Sequence, residues 1–405
     1  MKIAIFTDCF LPQINGVVTS TVTFAKGMAK RGHTVYVFAP KNGDNGDDGE
    51  LSHPNIIVTR VPSLPAFFYK NFRFTSPFSY KIYKYLKRIN VDIIHFHTPI
   101  GLGLQAIIHS KLLGAPLVGT FHTFFPNREY LKHAGLSNWL FHKIAWLYSK
   151  FFYNRCRLIS CPSKGAKNEL LHHNFRSRII VVSNGIDLDL FGQSENDKTL
   201  HNRGNDKDLI LYVGRIAHEK NIIFMIDCFR KVVERSPKTK LLIVGDGPQM
   251  DELKERISGH SLEDNVIITG EIQHSALSKS SIFESCKLFI TASFTETQGI
   301  TTLEAQANNL VCVGVDSTGT NELIKDGVNG YVVKKNDKDG FASKVLTLLS
   351  DEALYNKMRK NTVIEIQKHD IKKIILIWER EYRNLLDRAM QTSGNHIPEA
   401  IDTTR

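Results

Sequence analysis

The chain has 405 residues, 42% hydrophobic and 23% charged, which fits about two soluble domains better than one core. No apolar run reaches the roughly 18–20 residues that span a bilayer, and six scattered cysteines (Cys9, Cys156, Cys161, Cys228, Cys286, Cys312) show neither CxxC spacing nor a Cys/His metal pattern. The net charge of +11 is one-sided: residues 1–190 carry 23 Lys and Arg against 10 Asp and Glu, and the remainder 29 against 31, so the first half is set to meet an anionic partner, nucleic acid or membrane.

The opening "MKIAIFTDCFLP" turns polar at Asp8 and lacks a small-residue cleavage site, so it reads as a buried strand and not as a signal peptide. With reduced, buried cysteines this points to the cytoplasm. A helix follows in "VVTSTVTFAKGMAKRG", then strands in "TVYVFAP", "IIVTRVP" and "DIIHFH". "GLGLQAIIHSKLLG" reads as a helix, and "PLVGTFH", "RLISCPS" and "RIIVVSNGID" as further strands. Apolar strands separated by helices indicate a parallel sheet covered on both faces. Residues 191–207 are polar and aperiodic, a linker between domains. The alternation restarts with "LILYVG", "KLLIVGDGP", "NVIITG", "KLFITAS", "LVCVGVD" and "GYVV", with helices from about Asn221 and from Gln249. The expected architecture is α/β, two Rossmann-like doubly wound domains (1–190 and 208–370) facing a central cleft. A helix over 371–390 crosses back to the first domain, and 391–405 form a disordered tail.

Five strand-to-helix junctions open on that cleft. In "TDCFLPQINGVV", Asn15-Gly16 lets backbone approach a ligand at a helix start, although the dinucleotide fingerprint GxGxxG is absent. "GTFHTFFP" places His122 after a strand, and His95 and His97 in "IIHFHTP" sit in like positions. "YVGRIAHEKN" sets Arg215 and Lys220 beside helix amides, a pattern that suits a diphosphate. "VGDGPQ" again brings glycines close to a ligand. In "FTETQGITTLEA", Gly299 frees the amides of Ile300 and Thr301, and Glu296 and Glu304 stand on either side as acceptors for hydroxyls. Thr301 and Glu304 also fit a capping box, S/T-x-x-E, which would make the pair structural. Asp187-Leu-Asp189 has the D-x-D form of some metal-dependent transferases, but its place at the domain junction favours a structural role.

Taken in order, "PQINGVV", "DIIHFHTP", "TFHT", "PSKG", "NGID", "YVGRIAHEKN", "VGDGP" and "TETQGITTLEAQA" resemble glycosyltransferase family 4, whose fold is GT-B and whose E-x7-E motif the last segment matches. The resemblance implies a retaining hexosyltransferase that uses a nucleotide-diphosphate sugar as substrate, with no cofactor and no catalytic metal. It implies that Arg215 and Lys220 bind the diphosphate and steady the leaving nucleotide. Glu296 and the amides from Gly299 through Ile300 to Thr301 would meet the sugar or phosphate, and Glu304 the ribose. Gly16 would lie against the donor phosphate, His122 near the reacting sugar, and the backbone of Ile272, after Gly270, at the base.

The closest likeness within the family is to bacterial lipid glycosyltransferases such as diacylglycerol glucosyltransferases, which implies UDP-glucose as donor. "LPAFFYKNFRFTSPFSYKIYKYLKR" interleaves aromatics with Lys70, Arg73, Lys81, Lys84, Lys87 and Arg88, and "NWLFHKIAWLYSKFFYNRCR" adds Trp139 and Trp146. Such helices lie in anionic lipid interfaces, so the basic first domain is expected to contact the inner face of the membrane. Alternatively these aromatics pack in the first domain's core. After His122 the chain reads "TFFPNR", where those lipid enzymes carry acidic residues, so a polysaccharide or other glycan acceptor is the alternative. A nucleic-acid-binding protein with a non-catalytic nucleotide sensor is a third reading, but the chain has no recognisable nucleic-acid motif.

Overall fold

The computed structural model describes residues 1–41, 51–65, 73–124, 139–191, 208–278 and 280–394. In chain order the first half contains β1 (Lys2–Phe6), α1 (Gly16–Lys30), β2 (Thr34–Pro40), β3 (Ile56–Val61), β4 (Ser63–Pro65), β5 (Arg73–Thr75), α2 (Tyr80–Ile89), β6 (Ile93–Phe96), α3 (Gly101–Leu113), β7 (Leu117–Thr120), α4 (Trp139–Tyr153), β8 (Leu158–Cys161), α5 (Lys164–His172) and β9 (Arg178–Val181). Seven of these strands form one parallel sheet in the order β3-β2-β1-β6-β7-β8-β9. In the central strands β2, β1, β6, β7 and β8 the apolar runs are buried because helices cover both faces, while the edge strands β3 and β9 are only partly covered. β4 and β5 pair antiparallel as a small hairpin that the apolar pattern did not announce.

The second half contains β10 (Leu209–Val213), α6 (Ile222–Arg235), β11 (Lys240–Val244), α7 (Met250–Gly259), β12 (Val266–Gly270), α8 (His274–Leu277), β13 (Leu288–Thr291), α9 (Ile300–Ala307), β14 (Val311–Val315), α10 (Thr318–Leu323), β15 (Gly330–Val333), α11 (Lys338–Ser350), α12 (Glu352–Ile366) and α13 (Ile371–Gly394). Its sheet runs β12-β11-β10-β13-β14-β15. Strand order reverses between β1 and β6 in the first sheet and between β10 and β13 in the second. Loops beyond the carboxyl ends of strands at such switch points form ligand sites.

The final helix leaves the second domain and completes the core of the first. Ile371, Ile374, Ile375, Trp378, Tyr382 and Leu385 make one buried stripe against Ile3, Ile5, Val22 and Val35. Each such large side chain contributes about 1.5–3 kcal/mol by burial. Polar contacts set its register: Arg31 reaches Glu379 through two bonds of 3.2 and 3.1 Å, and His33 Nε2 lies 2.8 Å from the same carboxylate. Arg31 holds Glu379 below the usual carboxylate range. The helix continues to Gly394, four residues past the expected end, so the expected tail from 391 begins as helix; 395–405 lie outside the described residues. Of the expected linker 191–207, Phe191 is buried at the domain boundary with Ile186, Leu303, Leu323 and Ile366, and 192–207 lie outside the described residues.

Candidate functional site

The carboxyl ends of β1, β6 and β7 bring Asp8, three histidines and a threonine network together. Asp8 is fully buried, accepting from Leu102 N–H at 2.9 Å and from the Thr98 hydroxyl at 2.8 Å. Burial pushes its carboxyl up to about 6, against the pull of those donors. His95 and His97, two apart in a strand, share a face, with ring centroids 4.3 Å apart. Their partners separate them. His95 joins Tyr382 of α13 at 2.7 Å and Thr120 at 2.7 Å, which makes it a structural pin, whereas His97 Nδ1 meets His122 Nε2 at 2.9 Å. Burial drives all three rings towards the neutral form, His95 to about 3 and His122 to about 4. The Asn184 side chain bonds the His122 ring and opposes that shift.

On the second domain, Arg215 follows β10 exposed to the cleft, and Lys220 ends a tight turn over His218–Lys220. The Ser293 hydroxyl (3.0 Å) and Phe294 N–H (3.3 Å) both donate to Glu219 O, clasping this turn to the segment before the motif. The clasp sets Lys220 Nζ on the carboxylate of Glu296 as an ion pair. Gly299, not Thr301, is the N-cap of α9; its φ of 85° is a left-handed conformation that favours glycine, and no side chain caps the helix. The capping-box reading therefore fails: Thr301 already lies inside the first turn. Ile300 and Thr301 supply first-turn amides at the cleft, with the positive end of the helix behind them.

Glu304, one turn further, is 3% exposed, and its Oε1 meets His274 Nε2 at 2.7 Å. His274 opens α8 just after Ile272, so the loop from Gly270 (φ 78°) to His274 and the second motif glutamate form one subsite. Sequence reasoning missed His274: its partner is thirty residues away, and no spacing rule marks it. It missed Gln298 for the same reason. Gly16, at the start of α1, faces Ile300 across the cleft, with Ile300 Cδ1 3.5 Å from where a Cβ would stand. Asp187 instead binds Lys30 at 3.0 Å and Asp189 binds Lys372 at 2.8 Å, so the D-x-D segment ties α1 and α13 to the domain junction. Among the described residues no three His, Cys, Asp or Glu side chains gather as a metal-ligand set.

Close packing behind Glu296 yields a direct prediction. A Cβ on Gly319 in α10 would fall 2.5 Å from Glu296 Cβ and 2.8 Å from its carbonyl oxygen. Gly319→Ala is expected to displace Glu296, lowering turnover about 100-fold, a typical consequence of an ångström-scale misplacement. Differential scanning calorimetry is expected to show a cost of about 1–3 kcal/mol from overpacking.

Beside the first-domain strand ends, α4 leaves Trp139 (68% exposed), Leu140, Phe141, Ile144, Leu147 and Phe151 outward, while Trp146, Phe152 and Tyr153 enter the core. The aromatics of this segment thus divide between core and surface, and core packing alone does not account for them. Lys143 lies over the Trp139 ring and Arg155 over Phe151. Tyr148 donates to Pro99 O at 2.5 Å, which fixes this apolar ridge to the loop after β6. On α2, Lys81, Lys84, Lys87 and Arg88 sit with exposed Tyr80; Lys70 lies outside the described residues. No described helix is long and apolar enough to cross a membrane.

The sequence matches the family model Glycosyltransferase Family 4 over residues 14–190 and Glycosyl transferases group 1 over 193–363. It is 30% identical over 338 residues to an alpha-monoglucosyldiacylglycerol synthase of Streptococcus pneumoniae, covering 82% of this chain and 74% of that one. It is 24% identical over 400 residues to the enzyme of that name from Acholeplasma laidlawii, covering 96% and 98%. The fold matches a crystal structure of Anabaena HepE in complex with UDP and glucose, with a TM-score of 0.74 and 19% identity over 95% of this chain and 100% of that one. With two facing Rossmann-like domains and the E-x7-E glutamates at the cleft between them, the chain belongs to glycosyltransferase family 4 and is a GT-B glycosyltransferase.

Proposed function

We propose that the protein is a retaining hexosyltransferase that moves glucose from UDP-glucose to a membrane lipid hydroxyl, diacylglycerol being the acceptor class, while resting on the cytoplasmic face of the membrane. The observation that carries the lipid assignment is the apolar ridge of α4, fixed by Tyr148 to the strand-end loop of the cleft and flanked by basic residues. Apolar side chains with adjacent lysines enter the headgroup region of anionic bilayers. Two relatives named for glucosyldiacylglycerol synthesis, and a structural neighbour holding UDP and glucose, support the acceptor and the donor.

In this reading the donor diphosphate takes Lys220 from Glu296 and adds Arg215, so the leaving UDP is met by two cations. Glu296 then accepts a sugar hydroxyl. Glu304, oriented by His274, accepts from the ribose, and the backbone at Ile272 meets the base. Gly16 and the amides from Gly299 to Thr301 face the phosphate and sugar from opposite walls. The acceptor hydroxyl attacks the anomeric carbon from the face the diphosphate leaves, and its proton passes to the departing phosphate oxygen. No enzyme nucleophile or metal takes part. His122, neutral and bonded through its ring to His97 and Asn184, walls the sugar pocket and takes no proton.

The test is a donor panel (UDP-glucose, UDP-galactose, GDP-mannose) against diacylglycerol in mixed micelles and against soluble oligosaccharides. UDP-glucose with the lipid is expected to give the highest rate, unchanged by EDTA, and the protein is expected to float with anionic vesicles at low salt. Transfer confined to oligosaccharides would replace the lipid reading with the glycan one. Absence of flotation would remove the membrane contact.

A further inference from the structure

The motif residues between the two sugar-site features, Thr297 and Gln298, do not serve their own domain. Thr297 Oγ1 donates to His122 O at 2.6 Å. Gln298 is 1% exposed, and both ends of its amide are taken by the first domain: Oε1 accepts from Asn184 N–H at 2.9 Å, and Nε2 donates to Ser183 Oγ at 2.8 Å. Ser183 Oγ also receives Gly185 N–H at 3.2 Å, so its own proton points to His369 Nδ1, 2.8 Å away.

We propose that Gln298 is a positioning residue that couples the donor-side turn to the His122 ring, so that the sugar pocket is complete only while the two domains are closed on each other. The proposal rests on the transfer reading above for its consequence, and on geometry alone for the coupling. His97 Nε2 is buried with no partner among the described residues. A buried bare lone pair is tolerated better than a buried bare N–H, so the proton sits on His97 Nδ1 and His122 Nε2 accepts it. The remaining His122 N–H then faces the Asn184 side chain, whose Oδ1 also accepts from Ser20 Oγ at 2.9 Å. Asn184 is thus held by Gln298 through its main chain while it holds His122 through its side chain. If the turn withdraws, Asn184 loses one restraint, His122 loses the Thr297 bond at its carbonyl, and the ring is free to leave its register. Glu296, Lys220, Glu304 and the α9 amides all stay on the second domain, so of the proposed donor contacts only those at Gly16 and His122 depend on closure, and most of the UDP affinity does not need the clasp.

The experiment compares wild type with Gln298→Ala, Thr297→Val and Thr297→Ser in the full chain. The expected result for Gln298→Ala and Thr297→Val is a kcat loss of about 100-fold with UDP affinity by calorimetry changed by about threefold or less, as befits lost orientation. Thr297→Ser keeps the hydroxyl and is expected to restore kcat. Small-angle scattering should report a larger radius of gyration for Gln298→Ala, and hydrogen exchange should quicken at residues 120–124 and 183–185. Wild-type kcat in both Gln298→Ala and Thr297→Val, or parallel loss of UDP affinity, would overturn the coupling. If Gln298→Ala does not fold, Thr297→Val decides on the same readouts. A wild type inactive on every donor overturns the transfer reading alone, because scattering and hydrogen exchange still decide the coupling.

Discussion

Lys220→Ala and Glu296→Ala are each expected to lower sugar transfer about 100- to 1000-fold, the usual loss when one preorganised partner of a developing charge is removed. The two fail for different reasons. In the proposed transfer, Lys220 would meet the leaving diphosphate, so its loss is expected chiefly in kcat; Glu296 would hold sugar hydroxyls, so its loss is expected in kcat and in donor KM together. The two side chains neutralise each other at the cleft. Removing either one leaves the other unpaired where its side chain is about a quarter exposed, 27% for Lys220 and 23% for Glu296, so water at the cleft can still reach the remaining charge and the stability cost is expected to be modest. Thermal midpoints of both variants are therefore expected near wild type. Because the pair is in contact, the double variant is expected to lose less than the product of the single losses. Initial rates with saturating and limiting donor, alongside a melting curve, check all of this, and near-wild-type turnover in either single variant would contradict the site.

The second large effect concerns stability, not chemistry. Tyr382 is fully buried in the first domain's core, and its hydroxyl meets His95 Nδ1 at 2.7 Å. Tyr382→Phe keeps the ring but leaves His95 Nδ1 without its partner, at an expected cost of about 1–3 kcal/mol. Tyr382→Ala also opens a cavity beside Phe24 and Trp378, at an expected cost of about 3–5 kcal/mol, a large share of a domain's stability. Urea titration separates them: the phenylalanine variant should shift the midpoint at unchanged slope, while the alanine variant is expected to unfold the first domain early. Equal stability of all three proteins would mean that α13 is only laid against the domain and does not complete it.

Much of the fold was legible because parallel strands buried on both faces write themselves as apolar runs. The sheet strands β1 to β3 and β6 to β15 all stood out this way. The hairpin β4–β5 did not, since three-residue edge strands carry too little pattern to register. The cleft loops were legible for a related reason: glycines and charges after an apolar run mark a strand end. Local rules failed where a partner lies far along the chain. His95 and His97 flank the same residue, Phe96, at the end of one strand, yet a tyrosine 287 residues away makes one a pin, and His122 makes the other part of the candidate site. The alternative capping-box reading at Thr301 fails because Gly299 starts the helix two residues earlier, through a conformation that residue spacing does not reveal.

The position of α13 also dictates an order of events in time. Residues 371–394 leave the ribosome after both sheets have been synthesised, yet their apolar stripe belongs to the sheet made first. The second domain has its own core from β10 to α12 and can close without them. The half of the chain translated earlier is therefore the half that finishes folding later, the reverse of the usual vectorial sequence. Until then the apolar surface beside α1 that α13 covers has no cover from that helix.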